Sequence, residues 1–246
     1  MITDVGIDMD GVIYDFAKVF HEYAQNRMGK ELPLPNKWDF YKDWGMSDEQ
    51  FDEWLTEGVQ KLRLFNCDAP MENTVEGWNL LKQHGIKIHV LTHRSHISYE
   101  QTVQWLNRFG LYPDSLHFGN NKAILGIIAK DECAAIDDYT LYYEQYEKAN
   151  ILSFLRTQPW NGEKYARRVT DLLDFAEKVI MLNNAKRALI ELPNLKSQIT
   201  KPARELFLNY KDQKTFTTSA TPYKEGTSNH WEYYTDGKSN DKPTKQ

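Results

Sequence analysis

The sequence predicts an α/β protein built around a doubly wound, mostly parallel β-sheet, and two observations support this fold class. Three short apolar runs have the composition of strands buried on both faces: VGIDM (5–9), IKIHVLT (86–92) and CAAID (133–137). Segments with helical periodicity lie between these runs, and such alternation is typical of parallel sheets that carry helices on both faces. The composition, 41% hydrophobic and 26% charged, is that of a globular protein.

The segment after the first strand interrupts this alternation. Residues 17–29 and 47–61 both show helical patterns, and the connection between them contains several prolines. Ser47, followed three residues later by Gln50, has the spacing of a capping box, which predicts the start of the second helix. We therefore expect a small helical cap inserted after the first strand.

Three further helices are predicted beside the second and third strands. Residues 74–85 and 98–110 have helical patterns that end at Gly85 and Gly110, and glycine commonly terminates helices. A third pattern, residues 121–130, leads directly into the CAAID strand. Each strand is thus preceded or followed by a helix, as a doubly wound sheet requires.

These elements define the expected domain organisation. Residues 1–16 and 72–182 form the α/β core, and residues 17–71 form the cap. Residues 183–246 form a C-terminal extension that we expect to be weakly ordered from about residue 212, where Thr, Ser, Lys, Gly, Asn and Asp replace aliphatic residues.

Charge and cysteine content indicate which partners and which cellular compartment to expect. The net charge of −5 disfavours a nucleic-acid polymer as the substrate, since proteins that bind such polymers usually have a positively charged surface. We expect no membrane association, because no apolar run approaches the roughly 20 residues of a membrane span, and we find no signal-peptide pattern. Cys67 and Cys133 lie far apart, which suggests two free thiols and a cytoplasmic protein.

Two aspartates follow one another closely at the end of the first strand. Asp8 and Asp10 are two residues apart, so their side chains share a face while the strand continues, and Gly11 then allows a tight turn. Two carboxylates this close repel each other unless a cation or a proton separates them. A simple capping role is the alternative, but the other polar positions favour a catalytic site.

Three further polar positions lie at or beside the ends of later strands. Thr92 ends the second run, where a hydroxyl and the backbone N–H groups that follow it are typical phosphate ligands. Lys122 opens the third helix and can neutralise a phosphate, whereas its alternative, Lys130, is expected to face solvent. Asp137 and Asp138 end the third run and offer oxygen ligands for Mg²⁺. Since ligands bind at the carboxyl ends of parallel strands, we expect these residues to form one site.

The motifs DMDGV, VLT, Lys122 and AIDDY, in this order, resemble the four motifs of the haloacid dehalogenase (HAD) superfamily of phosphotransferases. Within that superfamily, DMDGVIYDF (8–16) is similar to the opening of the 5′(3′)-deoxyribonucleotidases, which reads D-x-D-G-V-x-x-D-F. QPWN (158–161) resembles a later segment of the same family. The resemblance implies a Rossmann-like HAD core with a cap.

The resemblance also implies a role for each matched acidic residue. Asp8 would attack phosphorus and form an aspartyl phosphate. Asp10 would protonate the leaving oxygen and then deprotonate the attacking water, and its backbone carbonyl would bind Mg²⁺. Asp8 and either Asp137 or Asp138 would complete the Mg²⁺ ligands, and the motif leaves open which of the last two binds directly.

The remaining matched residues would contact the substrate. Thr92, the following His93 and Lys122 would hold the phosphoryl oxygens, and Phe16 matches a position that lines the base pocket. A purely structural role for Phe16 in the core is an equal alternative. His93 and Arg94 depart from the small residues expected after the motif threonine.

The expected function is therefore a Mg²⁺-dependent phosphatase, specifically a 5′-nucleotidase that hydrolyses ribo- or deoxyribonucleoside monophosphates. One alternative is a HAD phosphatase for another small phosphate ester or for a nucleic-acid 3′-phosphate. The other is a non-catalytic phosphate-binding or interaction protein, which would have no need of a proton-transferring Asp10.

Overall fold

The computed structural model describes residues 1–129 and 132–191. Its contacts divide the chain into two compact units, Met1–Asn183 and Asn184–Gln246. All of the features below belong to the first unit, except the end of the last helix. Lys130, most of the predicted C-terminal extension and its expected weakly ordered tail lie outside the described residues.

The predicted doubly wound sheet is confirmed, and within the described residues it is entirely parallel. Its strands are β1 Asp4–Ile7, β2 Lys87–Thr92, β3 Ser115–Phe118, β4 Cys133–Asp137, β5 Leu152–Arg156 and β6 Arg168–Val169. Their order across the sheet is β3–β2–β1–β4–β5–β6, and each neighbouring pair is parallel. The three predicted strands are thus the three central ones, and their carboxyl ends lie side by side.

The central strands are buried, and most of their residues are apolar. All four residues of β1 are buried, as are the last five of β2 and the last four of β4. Strand β1 ends at Ile7 rather than at the predicted Met9, although the Asp8 N–H still donates to the Ile136 carbonyl of β4 at 3.1 Å. Asp8 and Asp10 therefore lie in the turn that follows the strand.

The described residues form seven α-helices: α1 Phe16–Met28, α2 Asp48–Leu62, α3 Thr74–Gln83, α4 Tyr99–Arg108, α5 Leu125–Ile128, α6 Thr140–Lys148 and α7 Leu172–Glu191. The first five correspond to the predicted helices, with differences in extent, whereas α6 and α7 were not predicted. Short 3-10 helices span Phe40–Trp44, His96–Ser98 and Lys122–Ile124. The helix predicted over residues 121–130 is thus a 3-10 turn that continues into the short α5.

Local signals in the sequence account for several helix ends. Ser47 accepts a hydrogen bond from the Gln50 N–H, and the Gln50 side chain accepts one from the Ser47 N–H, so the predicted capping box is confirmed. Gly85 and Gly110 follow α3 and α4 with φ of 69° and 68°, the left-handed conformation that glycine adopts without strain.

The insertion between β1 and β2 is helical, as predicted, and has an aromatic interior. Phe20 of α1 packs against Phe51 of α2, with ring centroids 4.8 Å apart, and against Trp44 of the intervening 3-10 helix. The boundaries 17–71 and the action of this insertion as a cap stay predictions.

Two further observations concern the cysteines and the helices. Cys67 and Cys133 are both free thiols, as predicted. None of the helices in the described part of the chain is long and apolar enough to cross a membrane.

Candidate active site

Three aspartates that follow strand ends form a buried carboxylate cluster at the carboxyl edge of the sheet. Asp8 follows β1, and Asp137 and Asp138 come at the end of the adjacent β4. One carboxylate oxygen from each residue lies within 4.8 Å of those of the other two, and all three side chains are buried. The expected convergence of the first and third runs is therefore seen in the structure.

Lys122 joins two of these carboxylates. Its Nζ lies 2.7 Å from Asp8 Oδ1 and 2.7 Å from Asp137 Oδ2, and its side chain is 1% exposed. The ammonium also lies 4.2 Å from the centre of the Tyr142 ring, a cation–π contact. Burial opposes the charged form, but the Asp137 and Asp8 carboxylates outweigh it and raise the pKa of Lys122 well above its usual value.

The carboxylate cluster carries more negative charge than Lys122 can balance. Burial raises the pKa of Asp8 to about 7, and the nearby charges of Asp137 and Asp10 add to this effect while Lys122 opposes it. Burial, followed by the Asp8 and Asp137 charges, raises the pKa of Asp138 well above its usual value. A cluster of this kind is relieved either by protons or by a cation.

The donor set of this cluster fits a magnesium ion. Asp137 has both oxygens in use, since Oδ2 accepts from Lys122 and Oδ1 accepts from the Tyr139 N–H at 3.0 Å. Asp138 Oδ2 accepts from Trp160 Nε1 at 3.1 Å, whereas its buried Oδ1 has no hydrogen-bond partner among the described residues. All of the available ligand atoms are carboxylate oxygens, and one of them is buried without a partner. Hard divalent cations such as Mg²⁺ prefer oxygen ligands of this kind.

Gly11 is required by the geometry of this turn. Its φ is 76°, and a methyl group at this position would overlap the Asp138 carboxylate. The predicted tight turn is thus present, and it also leaves room for the acidic side chain. The Gly11 carbonyl accepts hydrogen bonds from Arg156 at 2.5 Å and from Gln158 at 2.6 Å, which fix the turn against the segment after β5.

Asp10 lies apart from the carboxylate cluster and is held by an arginine that the sequence patterns did not identify as functional. Arg94 donates from Nη2 to Asp10 Oδ1 at 2.6 Å and from Nε to Asp10 Oδ2 at 2.9 Å. The only sequence signal was that Arg94 stands where the resembled family has small residues. The carboxylate of Asp10 does not belong to the cluster, so only its backbone carbonyl remains as the expected metal ligand.

Thr92 and His93 follow one another at the end of β2, beside β1. Thr92 is fully buried, and its Oγ1 accepts from the Arg94 N–H at 3.2 Å. His93 Nδ1 shares a hydrogen bond of 2.7 Å with the Tyr142 hydroxyl. Burial and the Lys122 charge lower the pKa of His93 to about 4, so its ring is neutral near pH 7 and can contact a phosphate only as a dipole.

No family model matches the sequence, and no curated protein matches it either. Among solved structures, a predicted phosphatase from Clostridium acetobutylicum superposes with a TM-score of 0.56 at 18% identity, over 74% of this chain and 99% of the other. A HAD-superfamily hydrolase of subfamily IA from Geobacter sulfurreducens gives 0.53 at 16% identity, over 72% and 96%. A β-phosphoglucomutase from Clostridium difficile gives 0.52 at 16% identity, over 77% and 100%. The chain shares its Rossmann-like α/β fold with these proteins. At these identities the likeness concerns the fold alone.

The contacts of the segment QPWN (158–161) explain its place beside the carboxylate cluster. Gln158 binds the Gly11 carbonyl and Trp160 binds the Asp138 side chain. Asn161 Nδ2 donates to the Asp138 carbonyl at 2.9 Å. The segment therefore supports the turn after β1 and the end of β4 at the same time.

Two aromatic contacts involve residues of the insertion and residues next to it. Phe16 is half-buried, and its ring stacks on Phe65 with centroids 5.6 Å apart. Trp38 of the insertion stacks on Tyr139, the residue after Asp138, with centroids 3.8 Å apart. The structure thus places Phe16 in the aromatic interior of the insertion, and it brings a second, half-exposed aromatic stack to the end of β4.

Proposed function

We propose that this protein is a Mg²⁺-dependent phosphomonoesterase that works through an aspartyl phosphate. The observation that carries the proposal is the contact of one buried lysine, Lys122, with both Asp8 and Asp137 beside the unpartnered Oδ1 of Asp138. A nucleophilic carboxylate next to a fixed ammonium and an acidic metal site meets the main needs of phosphoryl transfer, which are positioning and charge neutralisation. The predicted phosphatase and the HAD-superfamily hydrolase that share the fold are consistent with this chemistry.

In the proposed reaction, Asp8 attacks phosphorus while the bond from phosphorus to the ester oxygen breaks. Asp10 gives a proton to that oxygen, so that it leaves as an alcohol. Water then attacks the aspartyl phosphate, its proton returns to Asp10, and inorganic phosphate leaves with Asp8 restored. Lys122 and the Thr92 hydroxyl hold the phosphoryl oxygens during both steps.

The metal site follows from the same contacts. Asp8, Asp138 and the backbone carbonyl of Asp10 would hold Mg²⁺, since both oxygens of Asp137 are engaged by protein donors. When bound, the ion would neutralise part of the charge on the transferred phosphoryl group. Of the two aspartates that the sequence left open, we therefore propose Asp138 as the direct ligand.

Nucleoside 5′-monophosphates are the proposed substrates. The similarity of DMDGVIYDF to the 5′(3′)-deoxyribonucleotidases supports them, and so do the half-buried Phe16 and the Trp38–Tyr139 stack, whose flat apolar faces suit a nucleobase. A second candidate is a hexose phosphate, because one solved structure with this fold is named a β-phosphoglucomutase.

A substrate panel tests the proposal. Nucleoside 5′-monophosphates, deoxynucleoside 5′-monophosphates, hexose phosphates and an alkyl phosphate are incubated with the protein, and inorganic phosphate is measured with Mg²⁺ and after chelation. We expect release only with the divalent ion, and a kcat/KM for the best nucleotide about tenfold or more above that for hexose phosphates. Faster hydrolysis of hexose phosphates would support the second candidate. Release of no phosphate from any ester would favour the non-catalytic alternative.

Phe16→Ala tests whether the aromatic surface recognises a base. We expect kcat/KM for nucleotides to fall about tenfold, because stacking of a base on an aromatic ring contributes about 1–3 kcal/mol, with little change for an alkyl phosphate. The matched control is Phe51→Ala, which removes a buried ring of the same interior and should lower the unfolding temperature without changing the ratio of the two substrates. Equal losses on both substrates for Phe16→Ala would assign that ring to packing.

A further inference from the structure

The ion pair between Arg94 and Asp10 is more strongly fixed than surface pairs in this protein. The Arg94 side chain is 1% exposed, and its Nε and Nη2 together engage both carboxylate oxygens of Asp10. The two residues are 84 positions apart, so the contact joins the loop after β2 to the turn after β1. A bidentate guanidinium–carboxylate contact sets the orientation of both groups, which a single ammonium cannot do.

Other contacts fix the guanidinium itself. Its Nη1 donates to Thr102 Oγ1 on α4 at 3.0 Å. Its plane lies over two aromatic rings, with the central carbon 3.9 Å from the centre of the Phe65 ring and 4.8 Å from that of Tyr14. Each of the three guanidinium nitrogens therefore donates to a protein oxygen, and the aromatic contacts restrict rotation of the group.

The pair leaves Asp10 accessible while Arg94 is covered. The Asp10 side chain is 25% exposed, against 1% for Arg94. A substrate can therefore reach the carboxylate but not the buried guanidinium, each of whose nitrogens already donates to a protein oxygen. Asp10 can therefore exchange a proton with the substrate, whereas Arg94 can only hold Asp10 in place.

We propose that Arg94 is a positioning residue that holds the Asp10 carboxylate towards the leaving oxygen and the attacking water. This inference rests on the proposed phosphatase function. The inference goes beyond that function, because neither the sequence patterns nor the shared fold assigns a role to Arg94. The main competing task is direct binding of the substrate phosphate by Arg94.

A double-mutant cycle tests the inference, with kcat and KM measured on the best substrate from the panel. If Arg94 acts through Asp10, Arg94→Ala should lower kcat about tenfold or more, since a positioned acid or base contributes about 10²–10⁴-fold. It should change KM by less than about threefold. In the Asp10→Asn background, Arg94→Ala should lower kcat by less than about twofold, because the carboxylate that Arg94 positions is already absent. Arg94→Lys should restore little, since an ammonium cannot engage both oxygens.

Milder variants keep the test valid if Arg94→Ala fails to fold. Thr102→Val removes the acceptor of Nη1 with little change in volume, and we expect a smaller fall in kcat that again disappears in the Asp10→Asn background. The matched control is Thr74→Val, at another buried threonine whose hydroxyl has no hydrogen-bond partner among the described residues. That control should leave kcat unchanged. Circular dichroism confirms the fold of each variant.

The outcomes separate this inference from the function on which it rests. Equal fold losses from Arg94→Ala with and without Asp10, or a loss confined to KM, would overturn the positioning role and favour direct phosphate binding. Equal effects of Thr102→Val and Thr74→Val would also count against it. A wild-type protein that releases no phosphate would overturn the proposed function, and this inference with it.

Discussion

Asp8→Asn is expected to abolish phosphate release from every ester that the wild-type protein hydrolyses, with a loss of at least about 10⁴-fold in kcat. The amide has the shape of the carboxylate but cannot form the aspartyl phosphate. The measurement is inorganic phosphate released per protein molecule at saturating Mg²⁺. Mass spectrometry of the rapidly quenched wild-type protein should also detect one phosphoryl group that the variant lacks.

This variant should remain folded. Burial raises the pKa of Asp8, so the charged form is costly to keep inside the protein, and a neutral amide avoids that cost while Lys122 keeps its contact with Asp137. Asp114→Asn is the matched control, because Asp114 also binds a lysine, Lys82 at 2.6 Å, but at the surface. It should keep full activity. Turnover by Asp8→Asn within tenfold of the wild type would remove Asp8 as the nucleophile.

The sequence was sufficient to predict the centre of the fold and of the carboxylate cluster. Strands β1, β2 and β4 are predominantly apolar runs, because strands covered on both faces favour apolar residues. The chemistry-bearing residues stand at the ends of these same runs, so the order of motifs along the chain was enough to bring Asp8, Lys122 and Asp137 to one edge. The local sequence pattern and the strand–helix alternation were together sufficient to predict the central strands and the carboxylate cluster.

The outer strands could not be predicted in this way. Strand β3 is only half-buried, and its four residues, Ser115–Phe118, include a histidine and a serine. Strand β6 has two residues, Arg168–Val169, of which one is charged. Such short segments acquire extended structure from their neighbours in the sheet rather than from their own composition. Strand β5, Leu152–Arg156, was missed as well, although four of its five residues are buried.

The partners of the site residues were also beyond the reach of sequence patterns. Arg94 meets Asp10 across 84 positions, and Trp160 meets Asp138 across 22. These contacts depend on where loops return after the strands are paired, and no local propensity encodes that. The sequence suggested that Asp8 and Asp10 form one acidic pair. In the structure, β1 ends early and the chain turns at Gly11, so that Asp8 contacts Lys122 and Asp10 contacts Arg94.

The largest effect on stability is expected from Lys122→Met. Methionine fills much of the lysine volume but leaves the buried carboxylates of Asp8 and Asp137 without their common cation. Removal of one partner from a buried ion pair costs about 3–5 kcal/mol, because the remaining charges must stay unpaired or take up protons. Urea unfolding of the chelator-treated protein measures this loss. Activity should also fall by orders of magnitude, since the phosphoryl oxygens lose their ammonium contact.

Lys82→Met is the matched control for this experiment. The Lys82–Asp114 pair has nearly the same length as the Lys122 contacts, 2.6 Å against 2.7 Å, but both of its side chains are 36% exposed. Water can solvate the charge that remains at the surface, so the control should lose only about 0.2–1 kcal/mol. A loss for Lys122→Met no greater than that of Lys82→Met would contradict the view that burial makes Lys122 essential to the carboxylate cluster. Such a result would require the three carboxylates to be largely protonated in the folded protein without metal, and Lys122 would then matter for catalysis alone.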